Sequence, residues 1–171
     1  MEIGGGYVRN AHFMVSNGVP KVVNMDMSSE AIKQTWGRTG KTLFSEVEHV
    51  CDDIFRFEPK GQTFDLTFSY HFIHLLPRWR LSQSARKLYD LTSDQGPTGH
   101  MFISKKDKSD FCIVGAENVF EYAEDELRAQ MEPWFDIIEL RKERVIEYHG
   151  REHTHEMWYL LAYSKKDRLE K

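Results

Sequence analysis

Three consecutive glycines, Gly4-Gly5-Gly6, follow a short acid-apolar pair, Glu2-Ile3, and 20 residues beyond Gly6 an apolar run ends in Asp26. Backbone without a Cβ can approach a ligand closely and can adopt the left-handed conformations a tight turn needs. In doubly wound α/β folds the first strand-to-helix turn has this composition, and an acid about 20 residues further on, at the end of the second strand, reaches ribose hydroxyls. The pairing predicts a ligand site at the carboxyl ends of parallel strands. A plain surface turn followed by a helix-capping Asp would use the same residues, so the remaining periodicity has to discriminate.

That periodicity alternates. Arg9 to Asn17 has apolar residues at 11, 13, 14 and 15 and closes on Asn17-Gly18, which predicts a capped helix. Lys21 to Asp26 reads as a strand. Ser28 or Ser29 then caps a helix running to Thr39, with Ala31, Ile32 and Trp36 on one face. Val47 to Cys51 is a short strand closed by Asp52-Asp53, and Phe64 to Ser69 is a buried strand. Trp79 to Thr92 shows Leu81, Ala85, Leu88 and Leu91 near helical spacing. A turn over Gln95 to Gly99 leads into a strand over His100 to Ser104. Ala123 to Met131 is a helix with an acidic start, and Phe135 to His149 and His155 to Ser164 are two long strands joined by a polar turn. The expected fold class is α/β: one domain over 1–171, a doubly wound, mostly parallel Rossmann-like sheet with a C-terminal antiparallel hairpin.

Composition narrows the function. With 171 residues, 29% charged and a formal net charge of −4, the chain shows no basic surplus for a nucleic-acid partner or an anionic membrane. No apolar stretch reaches the ~18 residues of a membrane span, and no secretory leader is visible. Cys51 and Cys112 lack CxxC spacing and read as free buried thiols in a reducing compartment, so a cytoplasmic location is expected.

Several separated motifs together carry a resemblance: Glu2 to Ala11, the acid Asp26, the strand end Asp52-Asp53, FDLTFSYHFIHLL at 64–76, and the closing FDIIEL and MWYLLAYSKK segments. Over nearly the whole chain they resemble class I S-adenosylmethionine-dependent methyltransferases, in particular the small tellurite-resistance-type and related small-molecule enzymes. The resemblance implies S-adenosyl-L-methionine as cofactor. It brings Gly4 and Gly6 against the methionine part, and counts Gly5, Arg9 and Asn10 among the cofactor-binding residues. Asp26 would take the ribose hydroxyls with Met27 beside the adenine, and Asp53 with Ile54 would meet the adenine, or Asp52 in its place. Ser69, Tyr70 and His71 would face the sulfonium and the acceptor. Two departures stand out: Val8 occupies the position of the family's third glycine, and the first strand is short, without the family's upstream helices. Cover from a second copy or a partner chain over that strand is therefore part of the expectation.

Methyl transfer from a sulfonium needs chiefly positioning and exclusion of water. Where an acceptor must lose a proton, His71 and His74 are the candidate bases, and Trp79 is a candidate for the acceptor mouth. His149, His153 and His155 match no standard zinc spacing, so no metal is expected and they read as solvated or substrate-edge residues. The run Lys105-Lys106-Asp107-Lys108 reads as a solvated loop. The leading expectation is methyl transfer to a small-molecule acceptor. The alternative is a non-catalytic, methyltransferase-like subunit acting through a protein partner.

Overall fold

The computed structural model describes residues 1–39, 45–104, 119–148 and 152–166. Seven strands form one sheet: β1 (Glu2–Ile3), β2 (Val22–Asp26), β3 (Val47–Cys51), β4 (Thr67–Tyr70), β5 (Pro97–Ile103), β6 (Phe135–Tyr148) and β7 (Glu152–Ser164). Their order across the sheet is β3-β2-β1-β4-β5-β7-β6. The first five are parallel, and β7 runs antiparallel between β5 and β6. Among the described residues four α-helices connect them: α1 (Arg9–Ser16), α2 (Ser29–Thr39), α3 (Arg78–Leu91) and α4 (Glu124–Met131). This is the doubly wound sheet with an antiparallel end that the alternation predicts. The strand order reverses at β1/β4, so the crevice for a ligand opens there.

The helices divide by the faces they bury. Leu81, Ala85, Leu88, Tyr89 and Leu91 of α3 join Leu127 and Met131 of α4 in the main core, over Phe102, Trp158, Leu160 and Ala162. On the opposite face Ala11 of α1 packs with Val8, Val22 and Val47 in a smaller cluster. Each large apolar side chain buried in this way contributes about 1.5–3 kcal/mol. Capping follows the sequence closely. The Ser28 hydroxyl accepts the Ala31 N–H at 3.2 Å, and Asn17 closes α1 before Gly18, whose φ is 93°.

Four expectations change. The last strand begins at Glu152 rather than His155, inside the stretch read as the polar turn. The fourth strand begins at Thr67 rather than Phe64, because Phe64 donates its N–H to the Leu91 carbonyl and accepts from Ser93, spending its backbone bonds on the end of α3. The fifth strand begins at Pro97, inside the stretch read as a turn; proline is tolerated as a strand's first residue. Cys51 is exposed rather than buried, since it ends β3, the edge strand of the sheet. Cys112, the lysine run at 105–108 and the hairpin turn with His149 lie outside the described residues, as does the side chain of Trp36.

Val8 bears on the site. It sits at the N-cap of α1 with φ 56°, a left-handed conformation that is costly for a β-branched residue, by about 1–2 kcal/mol. Its side chain is fully buried among Ala11, Val22 and Val47, which offsets that strain. The branch therefore points into the protein beneath α1. The short β1 is paired on both sides, Glu2 with Asn24 of β2 and with Phe68 of β4.

Candidate functional site

At the carboxyl ends of β1, β2 and β3 lies a cavity of about 300 Å³, within the size range of small-ligand sites. Its floor is Ile3, Gly4 and Met25; Asp26 and Met27 form one side, Asp52, Asp53 and Ile54 another, and His71 with Phe72 closes the third. Each wall lies at the carboxyl end of a strand or within three residues beyond it, so the parallel register itself gathers them.

The glycine turn is held from below and behind. Gly4 and Gly5 both donate to the Met25 carbonyl, at 2.8 and 3.2 Å. Gly6 donates to Asp26 Oδ2 at 2.8 Å, while Asp26 Oδ1 accepts the Ser28 N–H at 2.8 Å. One N–H on each oxygen fixes the carboxylate, and an ionised carboxylate has about four acceptor sites. Two remain, which suits a pair of neighbouring hydroxyls. Gly4 has φ 67°, and a Cβ there would lie 2.9 Å from Cδ2 of Phe72, so this wall of the cavity has to be bare backbone.

Behind the turn, Glu2 is fully buried. Its Oε1 accepts from Asn10 Nδ2 at 2.8 Å and its Oε2 accepts the Ala11 N–H at 3.0 Å, so it ties the start of α1 to β1. Burial outweighs these two bonds and pushes its carboxyl up to about 7. Asn10 thus acts behind the turn rather than on the cavity, and Arg9 lies over the Tyr70 ring on the same face, 5.6 Å from its centroid.

The adjacent acids are resolved into two roles. Asp52 Oδ1 accepts the Asp53 N–H at 2.8 Å and stands 3.9 Å from Arg56. Asp53 Oδ1 accepts the Phe55 N–H at 3.0 Å, while its Oδ2 faces Arg80 of α3 at 3.8 Å.

The residues after β4 separate more sharply. His71 lines the cavity with φ 60°, its N–H bonded to the Met101 carbonyl at 2.8 Å and its ring stacked on Tyr70 at 4.2 Å. His74 is buried, and its Nδ1 accepts the Ile103 N–H at 3.2 Å. Burial first, and the neighbouring His71 and His155 next, lower its pKa to about 3. A ring so placed is neutral and structural, and it does not line the cavity. His155 is also buried, its ring centroid 6.3 Å from that of His71, and not at a solvated edge. Among the described residues no group of three metal-capable side chains converges.

Ser69 points inward, into a hydrogen-bond chain whose direction can be deduced. The Thr92 hydroxyl donates to the Leu88 carbonyl at 2.7 Å, so toward Thr67, 2.8 Å away, it can only accept. Thr67 therefore accepts from Thr98, and Thr98 from His100 Nε2, each at 2.8 Å. His100 Nδ1 is left to accept from Ser69, also at 2.8 Å. His100 is thus the neutral Nε2–H tautomer, in keeping with the lowering of its pKa to about 3 by burial. Of the residues singled out from sequence, Gly4, Asp26, Met27, Asp52, Asp53, Ile54 and His71 surround the cavity; Gly5, Gly6, Arg9, Asn10, Ser69, Tyr70, His74 and Trp79 do not. Missed on the walls are Phe55, Phe72, Leu75, Leu76, Pro77 and Arg80. Of these only Arg80, a cation beside Trp79 at the start of an amphipathic helix, stands out locally, and nothing in its spacing relates it to Asp53.

A methyltransferase-domain sequence profile matches residues 1–96, more than half of the chain. The chain belongs to this methyltransferase family. Its sheet order and glycine turn are those of the class I, S-adenosylmethionine-dependent fold. No curated protein matches it by sequence. Among solved structures it is similar to one reported for the conversion of a disulfide bond into a thioacetal group during echinomycin biosynthesis, with 14% identity and a TM-score of 0.77 over 99% of this chain and 78% of that one. TehB from Haemophilus influenzae is 17% identical, with a TM-score of 0.73 over 95% of this chain and 56% of TehB. The N-methyltransferase NodS from Bradyrhizobium japonicum, in complex with S-adenosyl-L-homocysteine, is 12% identical, with a TM-score of 0.70 over 96% of this chain and 76% of NodS. At these identities the likeness is one of fold. No helix among the described residues is long and apolar enough to cross a membrane.

Proposed function

We propose that this methyltransferase-family chain binds S-adenosyl-L-methionine in the cavity at the ends of β1–β3 and transfers its methyl group to a small-molecule acceptor. The observation that carries the reading is Asp26: its two oxygens are each fixed by one backbone N–H, leaving acceptor sites for a vicinal diol beside the bare Gly4 wall. Asp53 would accept from the adenine amino group, with Met27 and Ile54 against the base. The cofactor supplies an already activated methyl group, so the protein's task is orientation and dryness. His71 is the imidazole on the cavity wall for an acceptor that must lose a proton. Support for a small acceptor comes from the net charge of −4, which offers no basic surplus to a nucleic-acid acceptor.

Neither Val8 nor the shortness of β1 blocks the cavity: Val8 turns its side chain away beneath α1, and β1 is paired on both edges. Calorimetric titration with S-adenosylhomocysteine is expected to give one site per chain. Asp26→Ala should weaken it about 100-fold, the loss of two hydrogen bonds to a charged group at roughly 1.5 kcal/mol each. Asp26→Asn keeps one acceptor for the turn and sets an NH2 against the other backbone N–H; it should weaken binding at least tenfold, and thermal unfolding of both variants separates that loss from a folding defect. A well-folded wild-type sample that does not bind would reject the reading in favour of the non-catalytic one.

A further inference from the structure

Arg80 reaches the cavity from the first turn of α3 and is held there by three contacts. Its guanidinium lies over the Phe55 ring, 4.4 Å from the centroid, and over the Trp79 ring, 4.8 Å from that centroid. Its Nη1 stands 3.8 Å from Asp53 Oδ2. Both charged side chains are only about a quarter to a third exposed, at 25% for Asp53 and 32% for Arg80, so their attraction is less screened than that of a surface pair. A planar cation between two rings has few orientations left, and Arg is suited to such stacking where Lys is not.

The separation is informative. At 3.8 Å the pair is within ionic reach yet beyond a hydrogen bond, so the guanidinium orients Oδ2 without consuming its acceptor sites. Oδ1 is meanwhile engaged by the Phe55 N–H, and the Asp53 carbonyl accepts from Arg56 and Phe57, each at 2.9 Å, so the whole turn is rigid. One oxygen is spent on the turn and the other is left aimed and available. The stack also ties the loop after β3 to the start of α3, two segments on different walls of the same cavity.

We infer that Arg80, clamped between Phe55 and Trp79, is a positioning residue that aims the Asp53 carboxylate at the adenine amino group. The inference rests on the reading of this cavity as the cofactor site. The test compares S-adenosylhomocysteine with its purine-ribosyl analogue, in which the amino group is replaced by hydrogen and Asp53 is offered no donor. In the wild type the adenosyl compound should bind more tightly. In Arg80→Gln it should lose about tenfold while the purine-ribosyl compound holds its affinity, so the preference collapses; Arg80→Lys should recover only part of it. A purely structural role for Arg80 would weaken both ligands equally, and an unchanged ratio overturns the inference while leaving the function standing. Trp79→Ala supplies a variant without folding risk, because Trp79 is 72% exposed, and should shift the ratio two- to threefold in the same direction. Failure of the wild type to bind S-adenosylhomocysteine at all would overturn the function and this inference with it.

Discussion

Gly5→Ala is expected to be the most damaging single-methyl change in the glycine turn. A Cβ at this position would lie 1.8 Å from Asn24 Oδ1 and 2.8 Å from the Glu2 carboxyl carbon. Neither neighbour can retreat into solvent, because both are fully buried. Glu2 is further anchored by Asn10 and Ala11, so moving it would break two bonds that start α1. Overpacking of this kind costs about 3 kcal/mol at the upper end of the usual range, which for a chain of this size is a fall of roughly 6–12 °C in Tm. The alternative for the protein is to lift the turn. That removes the Gly6 N–H from Asp26 and should abolish S-adenosylhomocysteine binding even where the fold survives. Gly18→Ala is the control. There φ is 93° but nothing lies within 4 Å, so only the left-handed penalty of about 1–2 kcal/mol applies. Thermal unfolding of the two variants checks the contrast; near-wild-type stability and binding in Gly5→Ala would show that Asn24 turns aside.

The three adjacent glycines are thus required for different reasons, and only one of those reasons was visible in the sequence. Left-handed φ at Gly4 and Gly6 is what a glycine-rich turn suggests. The need at Gly5 is steric, set by a side chain from the neighbouring strand, and no local pattern reports it. The same division runs through the molecule. Helices and strands were legible where periodicity and caps agree, as in α1 and β3. The parity of β4 was not. Whether Ser69 or Tyr70 faces α1 depends on a register fixed by β1 and β5, and the register turned Ser69 inward onto His100. Asp26, Asp53 and Ile54 were legible because they lie at, or just beyond, the carboxyl ends of strands that must converge. Arg80 was not, because it reaches Asp53 across the cavity from an element with no spacing relation to it.

Acid stability should show a two-part profile governed by groups on opposite faces of the sheet. His74 and His100 both have folded pKa values near 3, against an ordinary value of 6.5. The unfolded chain therefore binds their protons first, and the stability they contribute is present above pH 6.5 and lost as pH falls toward 3. Glu2 works in the opposite sense. Its folded value of about 7 lies above the ordinary 4.5, so the folded chain holds that proton longer, and its contribution is full below 4.5 and lost as pH rises through 7. Between about pH 6.5 and 4.5 the unfolded state gains two protons where the folded state gains one, a net slope of about 1.4 kcal/mol per pH unit. Below pH 4.5 Glu2 drops out and the two histidines act alone, so the slope from these groups doubles to about 2.7 kcal/mol per unit. Urea titrations at half-unit intervals from pH 7.5 to 4 should resolve the steepening. Glu2→Gln, which keeps the acceptor for Asn10 or Ala11 and cannot titrate, should abolish the break near pH 4.5 by making the slope uniform. A break that persists in Glu2→Gln would assign it to other carboxylates, and a flat profile above pH 4.5 in the wild type would mean that one of His74 and His100 takes up its proton in the folded state.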